Sequence, residues 1–109
     1  MMLITAIVVP SRVRTVRRAL GLFGVQGLTQ TRIFLELGPR IRVEVYRGAR
    51  EVISRSPRVR LEVLSTNADT PDLVRVISRA VTGSDFQLWV VRVDHLVRIR
   101  TGEVGLDAL

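Results

Sequence analysis

The 109-residue chain contains no cysteine and no lysine, and aromatic residues make up only 5% of it. The absence of cysteine excludes disulfides, thiolate nucleophiles and cysteine-ligated metal sites. Few aromatics argue against a surface that stacks nucleic-acid bases. No apolar run approaches the roughly 20 residues of a membrane-spanning helix, and the apolar start lacks the features of a signal peptide. We therefore expect one cytoplasmic domain over residues 1–109.

Positive charge is the strongest bias of the composition. All 17 basic residues are arginines, and ten acidic residues leave a formal net charge of +7. Such a surplus suggests a nucleic-acid partner, but the arginines are scattered over every segment rather than gathered in one run. Nucleic-acid binding is therefore the least favoured of the functions considered below.

The first half of the chain has the pattern of a strand, a helix and a second strand. Leu3–Val9 is almost wholly apolar, as in a central strand covered on both faces. Ser11 is placed to cap the helix that follows, and Gly27–Leu37 alternates like a strand. Between them, four apolar residues recur at helical spacing: Val13, Val16, Leu20 and Phe23.

The second half repeats this plan. Arg58–Leu64 and Phe86–Val93 alternate like strands. Between them, Thr70 is placed to cap a helix, and Pro71 and Asp72 favour its first turn. The apolar face of this helix consists of Leu73, Val76, Ile77, Ala80 and Val81.

Together the halves predict an α+β fold, a ferredoxin-like βαββαβ sandwich with both helices on one face of a four-stranded sheet. A long loop follows the second strand, over about residues 37–55, and Val97–Arg100 predicts a short C-terminal strand. Alternation over residues 40–46 predicts that the second strand continues into the loop as a β-ribbon around Gly38-Pro39. The other sheet face carries no helix, which favours association with further copies of the chain.

The clearest chemical signal is an arginine pair near the C terminus. Arg98 and Arg100 are separated by one residue, so a strand would place both on one face. Two guanidinium groups held side by side form a fork for phosphate or carboxylate. The alternative is a ladder of ion pairs with Glu62 or Asp94 across a subunit interface.

Patterns typical of catalysis or metal binding are missing from the sequence. His95 stands without a second histidine or any cysteine, which argues against a metal site. Asp69, Asp72 and Asp85 do not form a carboxylate pair suited to acid–base chemistry. Trp89 falls in the alternation of the fourth strand and is expected to pack in the core or between subunits. We therefore expect no enzymatic activity and no required cofactor.

Three segments resemble the PII signal-transduction proteins, which are trimeric regulators of nitrogen and carbon metabolism. They are Gly24–Thr29, Tyr46–Ala49 and Arg98–Glu103, within a resemblance that covers almost the whole chain. It implies a homotrimer with three clefts between subunits, each of which binds an adenine nucleotide. It also implies that the long loop docks onto a target such as an ammonium channel or a metabolic enzyme.

The resemblance implies roles for individual residues. The two C-terminal arginines match arginines that contact nucleotide phosphates from the neighbouring subunit, and Arg58 replaces a lysine near those phosphates. Thr29 and Leu64 match the floor that receives base and ribose, Glu62 matches a glutamate near the effector site, and Arg47 matches a loop arginine that enters the channel. The implied nucleotide-binding residues are thus Thr29, Arg58, Glu62, Leu64, Arg98 and Arg100, and the implied partner-binding residues are Tyr46, Arg47 and Gly48.

Other positions depart from the family pattern. The family's phosphate loop is rich in glycine, which lets backbone amides approach the phosphates, and its two lysines neutralise them. The same stretch, Thr82–Gln87, is about two residues shorter, lacks lysine and contains Asp85, whose charge repels a triphosphate. Leu35 and Leu37 replace glycines, and Pro39 replaces a glutamine that helps to hold magnesium and 2-oxoglutarate.

We therefore expect a divergent PII-like regulator that binds a small anionic ligand between subunits. Sensing of ATP–magnesium and 2-oxoglutarate is expected to be lost or weakened, whereas ADP, AMP, a cyclic nucleotide or another anion can still bind. A membrane transporter or a metabolic enzyme is the expected target, with recruitment from the cytoplasm in the first case. The alternative is a trimeric scaffold that has lost nucleotide sensing.

Overall fold

The computed structural model describes the backbone of residues 1–44 and 48–109 and the side chains of residues 1–36 and 54–109. Within these residues, four antiparallel strands form one sheet in the order β2-β3-β1-β4, and two α-helices cover one face of it. The elements are β1 (Met2–Val8), α1 (Val13–Phe23), β2 (Thr29–Glu44), β3 (Gly48–Ser65), α2 (Thr70–Ala80) and β4 (Gln87–Arg92). This arrangement confirms the predicted ferredoxin-like sandwich.

The core lies between the helices and the inner face of the sheet. Side chains of β1 and β3 that point inward, such as Ile4 and Leu61, pack against Leu20 of α1 and Ile77 of α2. The predicted helix faces are therefore confirmed, except that Phe23 at the end of α1 remains 39% exposed. Apolar burial of this kind supplies most of the stability of a small domain.

Both helices begin differently from the prediction. A 3-10 turn over Pro10–Arg12 precedes α1, so Ser11 lies inside that turn and caps nothing, and Arg12 is the N-cap residue. Thr70 is the first residue of α2 rather than its N-cap, because its hydroxyl donates a hydrogen bond backwards to the carbonyl oxygen of Thr66 (2.7 Å). Asp72 lies in the first turn of α2, as predicted.

Alanine substitution of Gly21, within α1, and of Gly24, just after it, is predicted to change stability in opposite directions. Gly24 ends the helix with φ at +111°, a conformation that strains any L side chain, whereas Gly21 lies within the helix. A Cβ added at either position meets nothing within 4 Å. Gly24→Ala is therefore expected to lower the free energy of unfolding by about 1 kcal/mol, and Gly21→Ala to raise it by about 0.5–1 kcal/mol. Urea denaturation of both variants checks this, and a loss of stability at Gly21 that equals the loss at Gly24 would contradict it.

The segment predicted as a loop is a strand pair over most of its length. β2 and β3 remain paired as far as Glu44 and Gly48, with a register irregularity between Leu37 and Arg40, where Gly38 and Pro39 lie. The predicted ribbon is thus present up to Glu44, and the loop prediction for residues 37–55 is wrong for the described part of that range. Tyr46 and Arg47 lie outside the described residues, and Gly48 is the first residue of β3.

The predicted C-terminal strand is wrong. Val97 and Val104 form only an isolated bridge, because the chain reverses between them. The N–H of Arg98 donates to the carbonyl of Glu103, and the N–H of Gly102 donates to the carbonyl of Arg98, both at 2.8 Å. Gly102 has a φ of +74°, which permits this tight turn, and a 3-10 helix follows over Gly105–Ala108.

Candidate ligand-binding site

A cavity of about 780 Å³ opens where β2 begins and β3 ends, a volume typical of small-molecule sites. Three parts of the chain line it: the ends of the strands, the connection from α1 to β2, and the C-terminal segment. The residues used below are Leu3, Thr29, Glu62, Leu64, Asp69, Arg98, Ala108 and Leu109. Four of the six predicted nucleotide-binding residues, Thr29, Glu62, Leu64 and Arg98, are therefore brought to one place.

Strand register explains how two of these residues come together. Thr29 of β2 lies directly opposite Glu62 of β3. Glu62 in turn lies opposite Thr5 of β1, and Thr5 lies opposite Trp89 of β4, so the four residues form one row across the sheet. Residues opposite each other in an antiparallel sheet share a face, so the hydroxyl and the carboxylate belong to the outer face, away from the helices. Trp89 is 44% exposed on this same face, so it does not pack in the protomer's core.

Beside this polar row lies an apolar one. Leu3 of β1 lies opposite Leu64 on one side and Val91 on the other. Leu3 and Leu64 line the cavity, whereas Val91 and Trp89 extend the apolar surface along β4, where both are exposed. We call Leu3, Leu64, Trp89 and Val91 the outer apolar patch. The cavity therefore opens at the border of an exposed apolar patch.

The connection between α1 and β2 forms the second wall. Gly24 ends α1, and the N–H of Val25 donates to the carbonyl of Leu20 (3.0 Å), which fixes the direction in which the chain leaves the helix. Residues 25–28 then run to β2 without regular structure, and this stretch lines the cavity. Backbone not engaged in a helix or a sheet can offer hydrogen bonds to a ligand.

Arg98 contributes the positive charge of the cavity. Its Nη2 donates to the carbonyl oxygens of Ala108 (3.2 Å) and Leu109 (3.3 Å), so the C-terminal segment folds over the guanidinium. Hydrogen bonds between a guanidinium and an anion such as phosphate are charge-assisted and strong. An anionic ligand can therefore compete with these backbone oxygens for the guanidinium.

The remaining polar groups favour a ligand that donates hydrogen bonds. Glu62 and Asp69 bring two carboxylates, and Thr29, Ser65 and Thr66 bring hydroxyls. The Glu62 carboxylate also pairs with the guanidinium of Arg60 at 3.3 Å. Carboxylates accept from hydroxyl and amino groups, so the cavity suits a polar ligand that carries one anionic group for Arg98.

Two predicted site residues lie elsewhere. Arg100 is exposed in the turn after Arg98 and does not line the cavity. The prediction that both arginines lie side by side on a strand is therefore wrong, because residues 99–101 form a turn. Arg58 lies farther along β3 with a side chain only 14% exposed, and it is paired with Asp85 at 3.7 Å.

The sequence interpretation missed several lining residues. Asp69 precedes α2 as its N-cap residue and lines the cavity beside Glu62. Its position before the Thr-Pro pair marks a helix start but carries no ligand signal. Ala108 and Leu109 had no signal either, since they reach the cavity only through the turn at Gly102. Among the described residues, no cluster of histidine and acidic side chains is suited to a metal ion.

The sequence of the whole domain matches one protein family. The family described as "Nitrogen regulatory protein P-II" matches residues 1–103. The chain belongs to this family. P-II proteins are regulators and not enzymes.

Two curated relatives align over nearly their full length. The "Nitrogen regulatory protein P-II" of Rhizobium meliloti (strain 1021) is 36% identical over 109 residues, 97% of each chain. The "Nitrogen regulatory protein GlnK" of Escherichia coli (strain K12) is 33% identical over 112 aligned positions, 100% of each chain. The alignments with these two relatives thus run over nearly the whole of each chain.

Solved structures agree on the fold. Bacillus subtilis GlnK superposes with a TM-score of 0.79 at 22% identity, covering 99% of this chain and 97% of that one. The B. subtilis GlnK–ATP complex gives a TM-score of 0.80 at the same identity, covering 99% and 96%. The α-helices of this P-II chain, within residues 1–44 and 48–109, are too short to span a bilayer.

Proposed function

We propose that this P-II protein binds a small anionic ligand, with an adenine nucleotide as the first candidate, and controls a transporter or a metabolic enzyme. The observation that carries the proposal is the convergence of Thr29, Glu62, Leu64 and Arg98 on one cavity. In the proposed arrangement the nucleoside occupies the cavity and its phosphate meets Arg98. The B. subtilis relative in complex with ATP supports this choice of ligand class.

The chemistry of each residue fits this arrangement. Leu64 and Leu3 offer apolar contact to a flat base, and the Glu62 carboxylate accepts hydrogen bonds from ribose hydroxyls or an amino group. Thr29, opposite Glu62 in the sheet, can donate or accept beside it. Arg98 exchanges two backbone oxygen acceptors, on Ala108 and Leu109, for a phosphate.

We further infer that three copies associate through the outer apolar patch. The patch borders the cavity, so a second copy seated on it also covers the cavity mouth. Arg100, which lies outside the protomer's cavity, is then a cation that a neighbouring copy can bring to the phosphates, whereas Arg58 lies farther along β3 of the same protomer. The site is in this sense completed by association.

Association through the patch can be tested by measuring the molecular mass of the protein in solution. We expect sedimentation equilibrium to give three times the protomer mass of 12.2 kDa. Val91→Glu places a charge within the patch and is expected to yield monomers. The control Leu22→Glu alters an exposed residue on the helical layer and is expected to leave the trimer intact. A monomeric wild type, or a trimer that survives Val91→Glu, would contradict the inference.

Signalling is assigned to the segment between β2 and β3. Tyr46, Arg47 and Gly48 are proposed to contact the target protein, in the cytoplasm or at a membrane transporter to which the protein is recruited. β2 and β3 stay paired as far as Glu44 and Gly48, at the opposite ends of these strands from the cavity, so a ligand at the cavity and a target at this segment can bind together.

Calorimetry tests the proposed function. ATP, ADP and AMP are titrated separately into the wild-type protein, with GTP as a control for the base. We expect saturable heat with at least one adenine nucleotide and less with GTP. Negligible heats for all three adenine nucleotides would refute the nucleotide part of the proposal.

A trimeric scaffold without nucleotide sensing is the second candidate. Two contacts favour it: Arg98 is engaged by backbone carbonyls, and Arg58 is engaged by Asp85. This candidate predicts that the target binds equally well with and without added nucleotide.

A further inference from the structure

A row of alternating charges leads along β3 to the cavity. Arg58, Arg60 and Glu62 point to the same outer face, because they occupy alternate positions of one strand. Glu62 lines the cavity, and Arg58 lies four residues away, about 13 Å along the strand at ~3.3 Å per residue. A phosphate chain that leaves the cavity along β3 therefore runs toward Arg60 and then Arg58.

Both arginines of this row are already neutralised within the protomer. Arg60 is paired with Glu62 at 3.3 Å, and Arg58 is paired with Asp85 at 3.7 Å. Arg58 also donates to the hydroxyl of Ser56 and to the carbonyl of Pro57 (3.0 Å). Asp85 comes from the connection between α2 and β4, so the pair joins this connection to β3.

The exposures of the two partners indicate what the pair does. The Arg58 side chain is mostly buried, whereas Asp85 is largely exposed. Burial of a guanidinium is unfavourable without a counter-charge, and Asp85 supplies it. A ligand phosphate at Arg58 must therefore displace the carboxylate or lie beside it, and in either case the local charge disfavours a polyanion.

We propose that Asp85 sets the charge preference of the ligand site, so that a ligand with one phosphate binds better than a ligand with three. This inference rests on the proposed function, since it concerns the same cavity. Arg98 holds the first phosphate. The arginines that a longer phosphate chain would reach, Arg60 and Arg58, already form ion pairs with carboxylates of the protein itself. Asp85 acts through Arg58 and touches neither the base nor the ribose.

The test compares ATP and AMP on matched variants. Asp85→Asn removes the carboxylate that forms an ion pair with Arg58. Asp72→Asn is the control, because it removes the same charge and also breaks an arginine pair, with Arg75 at 2.9 Å, on the exposed surface of α2. A double variant, Asp85→Asn with Arg58→Gln, removes the freed cation as well. Calorimetry at fixed ionic strength gives Kd for both nucleotides, and urea denaturation verifies that each variant is folded.

We expect Asp85→Asn to tighten ATP binding about tenfold and AMP binding by no more than about twofold. Asp72→Asn should leave both affinities unchanged, and the double variant should lose the gain for ATP. An ATP-to-AMP affinity ratio that does not change in Asp85→Asn overturns the inference, and so does a failure of that variant to bind ATP.

The failures of the two proposals can be told apart. If the wild type binds neither AMP nor ATP, the nucleotide part of the proposed function is wrong and the inference about Asp85 falls with it. If the wild type binds AMP and the ATP-to-AMP ratio of Asp85→Asn equals that of the wild type, the function stands and the inference is overturned.

Discussion

Replacing Leu20 with alanine is expected to lower the free energy of unfolding by about 2–5 kcal/mol. The side chain is 1% exposed and belongs to the cluster that joins α1 to the sheet. The loss combines the missing apolar burial with the cavity that the neighbouring side chains cannot fill. Because small domains are stable by only about 5–15 kcal/mol, this one change removes a large part of the total.

The same helix offers a matched control. Leu22 lies two residues farther along α1 and is 85% exposed, so Leu22→Ala makes the same change of side chain and helix propensity without a cavity. Its effect is expected to stay within about 0.5 kcal/mol. Urea denaturation at one protein concentration measures both variants, because association makes stability depend on concentration. Equal losses at the two positions would contradict the described packing of α1.

Replacing Arg98 with alanine is expected to weaken nucleotide binding about tenfold to a hundredfold. The estimate corresponds to about 1.5–3 kcal/mol for hydrogen bonds to a charged group. Arg98→Lys keeps the charge but loses the two-pronged geometry, so it should bind with intermediate affinity. Calorimetry with the nucleotide that binds the wild type best measures both variants.

Arg98 also holds the C-terminal segment through Ala108 and Leu109, so its loss needs a control for folding and for net charge. Arg79→Ala removes an exposed arginine from the last turn of α2 and should leave binding unchanged. Circular dichroism should show the same helix content for all variants. If Arg98→Ala binds as tightly as Arg79→Ala, the assignment of Arg98 to the ligand is refuted.

The sequence predicted the elements of this fold because their patterns are long and consistent. The apolar run Leu3–Val9 predicts a central strand, and the observed β1 is one of the two central strands of the sheet. The helical spacing of Val16 and Leu20 corresponds to the buried face of α1. The four-residue alternation of Val97–Arg100 was too short to decide between a strand and a turn. The glycine at 102 favoured the turn, and the predicted strand was lost.

The strand pattern explains why two of the predicted site residues meet on the sheet, whereas no pattern predicts the contacts that form through turns. Thr29 and Glu62 meet because strand register follows from the hydrophobic pattern, which the sequence displays. Arg98 meets Ala108 through a turn and a 3-10 helix, whose directions no short pattern specifies. Asp85 was recognised as unfavourable to a triphosphate, but its pairing with Arg58 depends on how the α2–β4 connection lies against β3.

A crystal structure of the protein grown with AMP tests the central claim most directly. We predict that the nucleoside lies in the space bounded by Thr29, Glu62 and Leu64, with its phosphate within hydrogen-bonding distance of the Arg98 guanidinium and a second copy of the chain beside the cavity mouth. AMP bound on another surface, or an empty cavity with Arg98 still donating to Ala108 at saturating AMP, would contradict the claim.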